Sequence, residues 1–204
     1  DDVSEAKKEE SVSEFISREA LASLPSRYRK AVEESIALYK FLENKGGALS
    51  PCFTSLLGAV DEAAKGLIVS LLDSDTPSNK DEQRNYFEPD YKHLDSRDLT
   101  WLRSNGAALK KALVFRNFVM PLGILGFCFE YSQKGGLKVG GVFSSVEKNF
   151  SKFNKSNLSD RVANIRNFRN TYIAHQEKEL TDAKLAKEEL GNWIGGLLAL
   201  HNAK

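Results

Sequence analysis

The sequence predicts an all-α fold, a helical bundle of about five to seven helices. Apolar residues recur at helical spacing along several segments of the chain. No run in which β-branched and polar residues alternate, the pattern typical of a half-buried strand, interrupts them. Hydrophobic residues make up 41% and charged residues 28% of the chain, which is ordinary globular composition. Because 204 residues can bury a sizeable core, we expect one helical domain.

Two core helices are predicted in the N-terminal half. Apolar residues lie at helical spacing over residues 32–42, and the pair Gly46-Gly47 ends the pattern. Ser50-Pro51 then resembles an N-cap followed by a proline in the first helical position. The apolar stripe that follows, over residues 53–71, predicts a long buried helix.

The start of the chain differs in composition from the remainder. Acidic and polar side chains dominate residues 1–14, so we expect a mobile lead-in there and the helical domain over residues 15–204. The chain begins with Asp1 and its one methionine is Met120, which favours a piece of a longer protein with further domains. No secretory leader is present, and the most apolar stretch, residues 119–129, is too short to cross a bilayer. We therefore expect a cytoplasmic protein with no membrane partner.

Further helices are predicted in the C-terminal half. They cover residues 101–118, 121–131 and 143–153, after a long polar loop at residues 73–95. Two more helices close the chain, one over residues 158–174 and one that begins at Thr181 as its N-cap. The apolar side of the last helix consists of Ala186, Leu190, Trp193, Ile194, Leu197 and Leu198.

The helix predicted over residues 158–174 has a cation within its apolar stripe. The stripe consists of Leu158, Val162, Ile165, Phe168 and Tyr172. At roughly 100° per residue, Arg169 lies about 40° from Ile165, on the buried side. A guanidinium does not lose its charge in proteins and is rarely taken inward without an anionic or hydrogen-bonding partner. We therefore predict that Arg169 is poorly exposed and that its position has a functional reason.

Two further residues near Arg169 suit the chemistry of RNA cleavage. Asn170 follows directly, and His175 comes where the helix is expected to end. An imidazole can take the proton of a 2′-hydroxyl near neutral pH, and a guanidinium can stabilise the charge of a pentavalent phosphorane. The sequence contains no carboxylate cluster or Cys/His spacing that suits a catalytic metal, so we expect neither a metal nor another cofactor.

The segment Arg169-Asn170-Thr171-Tyr172-Ile173-Ala174-His175 resembles the motif of the HEPN superfamily. That motif is an arginine, a polar residue such as asparagine, and a histidine after four to six intervening positions; five positions intervene here. The flanking residues resemble the abortive-infection branch in particular, and the resemblance covers residues 158–200. It implies a HEPN-like helical bundle with catalytic roles for Arg169, Asn170 and His175.

The same resemblance implies a function and partners. HEPN domains of this kind are metal-independent endoribonucleases in which two motifs meet across a homodimer to form one composite site. We therefore expect RNA as the substrate, a second copy of the chain as a partner, and a role as the effector of a defence or toxin system. An antitoxin or further domains of a longer chain are additional expected partners. Antitoxin-regulated relatives carry a tyrosine two residues after the histidine, where this chain has Glu177, so control by AMP transfer is not implied.

Charge patterning adds a candidate RNA-binding segment. Residues 134–170 contain eight basic side chains and two acidic ones, a net charge of +6 in a chain whose formal net charge is +1. Basic side chains next to a cleavage site would attract the phosphate backbone, whereas scattered lysines are also common on solvated helix faces. The RNA-binding candidates are Lys148, Lys152, Lys155, Arg161 and Arg166.

Other interpretations of these residues remain open. Arg169 would have a purely structural role if it bridged a buried carboxylate. His175 would likewise be structural if it only capped the end of the helix. The chain would then be a non-catalytic HEPN-like module that binds nucleotide or dimerises, or a helical interaction domain of a larger protein. A weaker candidate site is Cys52, which lies near a helix start and would act as a nucleophile if its pKa were lowered and it met His93 or His201 in space.

Overall fold

The computed structural model describes residues 2–72, 120–134 and 157–203, together with Asn79, Ser96 and Thr100. Over these residues the chain forms α-helices and no strands, so the predicted all-α class is confirmed. None of the helices in the described part combines the length and the apolar composition needed to cross a bilayer. Three predicted segments, namely residues 73–95 apart from Asn79, residues 101–118 and residues 143–153, lie outside the described residues.

Seven α-helices are described, within the predicted range of five to seven. They are α1 (Asp2–Ser13), α2 (Arg18–Ser23), α3 (Ser26–Leu42), α4 (Thr54–Leu72), α5 (Pro121–Lys134), α6 (Leu158–Phe168) and α7 (Ala183–Asn202). A short 3₁₀ helix, Ser50–Phe53, precedes α4, and a π-helix, Arg169–Ala174, follows α6 without a break.

Residue contacts divide the chain into two compact units. Unit 1 comprises Asp1–Ala63 and Arg161–Ala203, and unit 2 comprises Ala64–Asp160 with Lys204. The sequence predicts a single helical domain over residues 15–204 and contains no sign of this division. The residues of the HEPN-like motif, Arg169 to His175, belong to unit 1.

The predicted helices of the N-terminal half are present with one local correction. In α3, Val32, Ile36 and Tyr39 are buried as their spacing predicts. Ser50 is not the N-cap of α4, because residues 50–53 first form the 3₁₀ helix, which has no side-chain cap. Along the 3₁₀ helix and α4, the buried members of the predicted stripe are Phe53, Leu56, Val60, Ala64, Leu67 and Ile68.

Residues 1–14, where the sequence predicts a polar lead-in, contain the helix α1. Apolar periodicity cannot reveal this helix because almost all of its side chains are polar. Ion pairs connect the segment to the rest of unit 1: Lys8 lies 3.4 Å from Glu33 on α3. The Glu14 carboxylate accepts hydrogen bonds from Lys40 at 2.9 and 3.0 Å and lies 3.0 Å from the ammonium of Lys187. These two cations hold the pKa of Glu14 below its usual value.

The helix α7 begins one residue later than the sequence predicts. Its N-cap is Asp182 and not Thr181, because Asp182 Oδ1 accepts from the backbone N–H groups of Lys184 at 3.0 Å and Leu185 at 3.2 Å. The predicted apolar side is buried at Ala186, Leu190, Trp193, Ile194 and Leu197, whereas Leu198 is half-buried.

An aromatic cluster of Phe53, Phe168 and Trp193 lies in the core of unit 1. The Phe53 ring centroid is 5.1 Å from that of Phe168 and 5.0 Å from that of Trp193. Phe168 and Trp193 meet edge to face at 6.1 Å, and all three residues are buried. Tilted and edge-on ring pairs of this kind are favourable beyond the area that they bury. The cluster thus fixes the end of α6, one residue before Arg169.

The helices α6 and α7 approach each other closely at Gly196. A Cβ atom added to Gly196 would lie 2.5 Å from Cδ1 of the buried Ile165, whereas one added to Gly191 would meet nothing within 4 Å.

We predict that Gly196→Ala lowers the free energy of unfolding by about 1–3 kcal/mol, because Ile165 has to shift within a packed core. Gly191→Ala, on the same helix, should raise it by up to about 1 kcal/mol through helix propensity. Urea denaturation measures both values, and equal effects of the two substitutions would contradict the close approach.

Candidate functional site

The hydrogen-bond pattern of α6 changes at Arg169. Residues Arg169–Ala174 form a π-helix, which ends with a hydrogen bond from the backbone N–H of His175 to the carbonyl of Asn170 at 3.1 Å. The sequence predicts one α-helix over residues 158–174; the extent is right, but the last six residues are wound more widely. Such π segments are rare and occur frequently at functional sites.

The π winding determines which residues share a face. In an α-helix, residues 170 and 175 would lie roughly 140° apart around the axis. The bond from the His175 N–H to the Asn170 carbonyl instead places these residues one above the other on the same side of the helix. Asn170 and His175 are thereby brought together at the backbone level, which their sequence spacing alone does not achieve.

Arg169 is buried, as its position in the apolar stripe predicts. Only 7% of its surface is exposed. Its Nε and Nη2 groups both donate to Oδ1 of Asn170, at 3.2 and 3.1 Å. Two bonds from a planar guanidinium to one oxygen fix the orientation of the cation. Asn170 therefore acts on Arg169 directly, a contact that the sequence does not indicate.

Burial and neighbouring charges oppose each other at Arg169. Burial lowers the pKa of the guanidinium from its usual value, the carboxylate of Asp61 on α4 acts in the opposite direction, and the guanidinium of Arg166 lowers the pKa further. An arginine nevertheless stays charged in proteins. The cation is thus partly desolvated, which strengthens its attraction for an anion such as phosphate.

Asp61 belongs to the site and was missed by the sequence analysis. It is half-buried on α4, and its Oδ1 atom is fully buried. One signal was present in the sequence: Asp61 lies one α-helical turn after Leu57, at the edge of the apolar stripe. A carboxylate in that position needs a polar or charged neighbour.

His175 is exposed where the π-helix ends. The chain reverses at Gln176, whose φ of 47° lies in the left-handed region, and the backbone N–H of Lys178 then donates to the carbonyl of Thr171 at 3.2 Å. His175 is therefore accessible from solvent, whereas Arg169 is largely covered.

The structure describes two of the five RNA-binding candidates. Arg166 is half-buried and acts on Arg169, as described above. Arg161 is exposed, and its Nη1 atom lies 2.9 Å from where a Cβ atom of Gly195 would be, so the guanidinium lies against the glycine backbone of α7. The other three candidates, Lys148, Lys152 and Lys155, lie outside the described residues.

The nucleophile hypothesis for Cys52 is wrong. Both cysteines are buried, and burial raises the pKa of the Cys52 thiol to about 11 and that of Cys128 to about 12, away from the lowered value that a reactive thiol needs. His201 is half-buried with its ring edge-on to Tyr28 at 5.9 Å, and His93 lies outside the described residues. Over the described part of the chain, no three His, Cys, Asp or Glu side chains group as ligands for a metal ion.

Comparison of the sequence with models of protein families, with curated proteins and with solved structures finds no match. The likeness to the HEPN superfamily therefore rests on the motif from Arg169 to His175 and on the residues around it.

Stability measurements can separate a functional from a structural role of Arg169. We predict that Arg169→Leu changes the free energy of unfolding by less than about 1 kcal/mol, because burial of a leucine in the apolar stripe offsets the loss of the cation beside the half-buried Asp61. If Arg169 were instead a structural bridge to a buried carboxylate, Arg169→Leu would lower stability by several kcal/mol. Chemical denaturation at neutral pH distinguishes the two outcomes, and Asn170→Ala in the Arg169→Leu background serves as the control for loss of the amide contact.

Proposed function

We propose that the chain is a HEPN-type endoribonuclease that cleaves RNA without a metal, acts in the cytoplasm and is the effector of a defence or toxin system. One observation carries the proposal. A buried guanidinium, that of Arg169, is oriented by Asn170, and Asn170 in turn bonds through its carbonyl to the backbone of an exposed histidine, His175. These are the groups that metal-free phosphodiester cleavage requires, and they lie within seven consecutive residues of the chain.

The proposed reaction is a transesterification. The imidazole of His175 accepts the proton of a ribose 2′-hydroxyl, and the resulting oxygen attacks the adjacent phosphorus. The bond from phosphorus to the 5′-oxygen breaks, an imidazolium returns a proton to that oxygen, and the products are a 2′,3′-cyclic phosphate and a 5′-hydroxyl. The guanidinium of Arg169 stabilises the additional negative charge on the phosphorane.

Asn170 has a positioning role in this mechanism. A guanidinium has five N–H groups. Two of those of Arg169 donate to Asn170 Oδ1, which leaves the others for a phosphate oxygen. Because the amide carries no charge, it orients the cation without neutralising it, unlike a carboxylate in the same position.

A homodimer completes the proposed site. One chain contributes one base and one cation, whereas cleavage also needs an acid for the leaving oxygen. We propose that α6 and the π-helix lie at or near a two-fold axis, where the same residues of a second copy supply the missing groups. Antitoxins or further domains of a longer chain are proposed as additional partners.

One observation favours a second candidate function, a non-catalytic HEPN-like module that binds nucleotide. Arg169 is 7% exposed, which restricts the access of a polymer phosphate more than that of a small ligand. A nucleotide phosphate would need only the guanidinium, and His175 would then have no catalytic part. The cleavage experiment that follows separates the two functions.

We predict that His175→Ala and Arg169→Ala each lower the rate of RNA cleavage in EDTA by about a hundredfold or more, the range expected for a general base and for a charge-stabilising group. Gel analysis of end-labelled RNA measures the rate. His201→Gln changes the other described histidine, on α7, and should cleave at the wild-type rate. Full activity of His175→Ala, or a strict need for added Mg²⁺, would refute the assignment.

A mixing experiment tests the shared site. We expect light scattering at micromolar concentration to report a dimer. Chains with His175→Ala and chains with Arg169→Ala, each inactive alone, should recover part of the activity after they are unfolded together and refolded, because about half of the dimers then contain one of each. Partial recovery would show that the two chains share a site, whereas an active monomer is incompatible with the composite site.

A further inference from the structure

A row of polar side chains runs along α6 and ends at the candidate site. Arg161, Asn164, Asn167 and Asn170 occupy every third position, so they form one ridge that is inclined to the helix axis and turns about 60° around it at each step; we call it the polar row. The first three are exposed and Asn170 is half-buried. At about 1.5 Å per residue, the polar row extends roughly 13.5 Å along the helix axis. It begins at Arg161 and ends at Asn170, whose side-chain amide orients Arg169.

Helix stability does not account for the asparagines of the polar row. Asparagine is a weaker helix former than alanine because its side chain competes for backbone hydrogen bonds. The Asn170 side chain has a role, since it accepts two bonds from Arg169. By contrast, among the residues that the structure describes, the side chains of Asn164 and Asn167 have no hydrogen-bond partner, although they lie in a well-formed helix.

The chemistry of the polar row suits the edges of nucleic-acid bases. A side-chain amide offers an acceptor oxygen and two donor hydrogens, the combination that the base edges also present. Contacts to phosphates, in contrast, position a nucleic acid but do not distinguish its sequence. Arg161 and Arg166 supply positive charge on the same helix, on which Asp160 is the one acidic residue. The helix α6 can therefore attract a polyanion through its arginines and form hydrogen bonds to base edges through its asparagines.

We infer that the polar row contacts base edges of an unpaired RNA segment beside the cleaved phosphate and gives the enzyme a preference for particular bases. This inference rests on the proposed function. Unpaired RNA is favoured over a duplex because the deep major groove of A-form RNA withholds its base edges from side chains as short as asparagine. Bases of a loop or a single strand are free to turn toward the helix.

A second copy of the chain is the rival occupant of this surface, and its chemistry fits less well. The centre of a protein interface is depleted in charged residues and enriched in aromatic ones. The exposed positions of α6 are Asp160, Arg161, Asn164 and Asn167, none of them apolar. Direct contact between two copies of the polar row would bury amides and a guanidinium with few apolar contacts to offset their desolvation. In the proposed homodimer, the two-fold axis therefore lies beside α6 and leaves the polar row open to RNA.

The test uses a double variant, Asn164→Ala with Asn167→Ala, which removes both exposed asparagines of the polar row. The control variant is Asn192→Ala, which removes an exposed asparagine from α7. One RNA with an unpaired loop is used in two forms, an unmodified form for mapping cleavage positions and a 2′-O-methyl form, which cannot be cleaved, for binding by fluorescence anisotropy. The double variant should fold with equal or higher melting temperature and remain a dimer. It should bind the methylated RNA about tenfold more weakly or worse, and its remaining cleavage should lose its base preference. Asn192→Ala should match the wild type in every respect.

Several results would overturn the inference. The first is a folded double variant that binds the methylated RNA with wild-type affinity and cleaves the unmodified RNA at the wild-type positions. The second is a double variant that dissociates into monomers, because the polar row would then be a contact between chains. Asn167→Asp, which keeps the side-chain shape and adds a negative charge, provides a second variant and should also bind more weakly. The two proposals can fail separately. If the wild type binds the RNA but does not cut it, the nuclease assignment fails, and selective loss of binding in the double variant still supports the polar row.

Discussion

The site depends on one constraint, the burial of a permanent charge. Arg169 occupies a position where the packing of α6 favours an apolar side chain, and it is 7% exposed. A guanidinium cannot lose its charge to reduce the cost of burial, so it needs a neighbour that accepts its N–H groups. Asn170 supplies an uncharged acceptor at 3.1 and 3.2 Å, and the carboxylate of Asp61 supplies a negative charge that acts on Arg169. The cation is thus oriented by an uncharged amide that uses two of its N–H groups and leaves the others for a further acceptor.

The surrounding structure holds this arrangement in place. The aromatic cluster of Phe53, Phe168 and Trp193 fixes the end of α6, one residue before Arg169. The π-helix then places His175 above Asn170 through an i to i−5 hydrogen bond and ends there, so that the imidazole is exposed while the guanidinium is covered. A rigid core therefore carries the short π segment that contains Arg169 and Asn170 and ends at His175, an irregularity that is common at functional sites.

Much of the fold and part of the site could be predicted from the sequence. The buried faces of α3, α4, α6 and α7 follow from the spacing of apolar residues, and the inward direction of Arg169 follows from its angle to Ile165. The π-helix could not be predicted, since the same residues can form α or π hydrogen bonds and tertiary packing decides between them. The helix α1 could not be predicted because it has no apolar stripe, and ion pairs such as that of Lys8 with Glu33 connect it to its neighbours. At α7, Thr181 and Asp182 are both good capping residues, and only the backbone geometry selects Asp182.

The central claim is that the buried guanidinium of Arg169 is held ready for an RNA phosphate. Nitrogen NMR of the arginine Nε–H groups tests it most directly, with Arg169→Lys to assign the signal. The hydrogen bond to Asn170 predicts a slowly exchanging Arg169 Nε–H in the free protein. Addition of the 2′-O-methyl RNA should shift this signal in proportion to binding. An Arg169 signal that stays unchanged while the RNA binds would contradict the account, because the phosphate would then be held elsewhere.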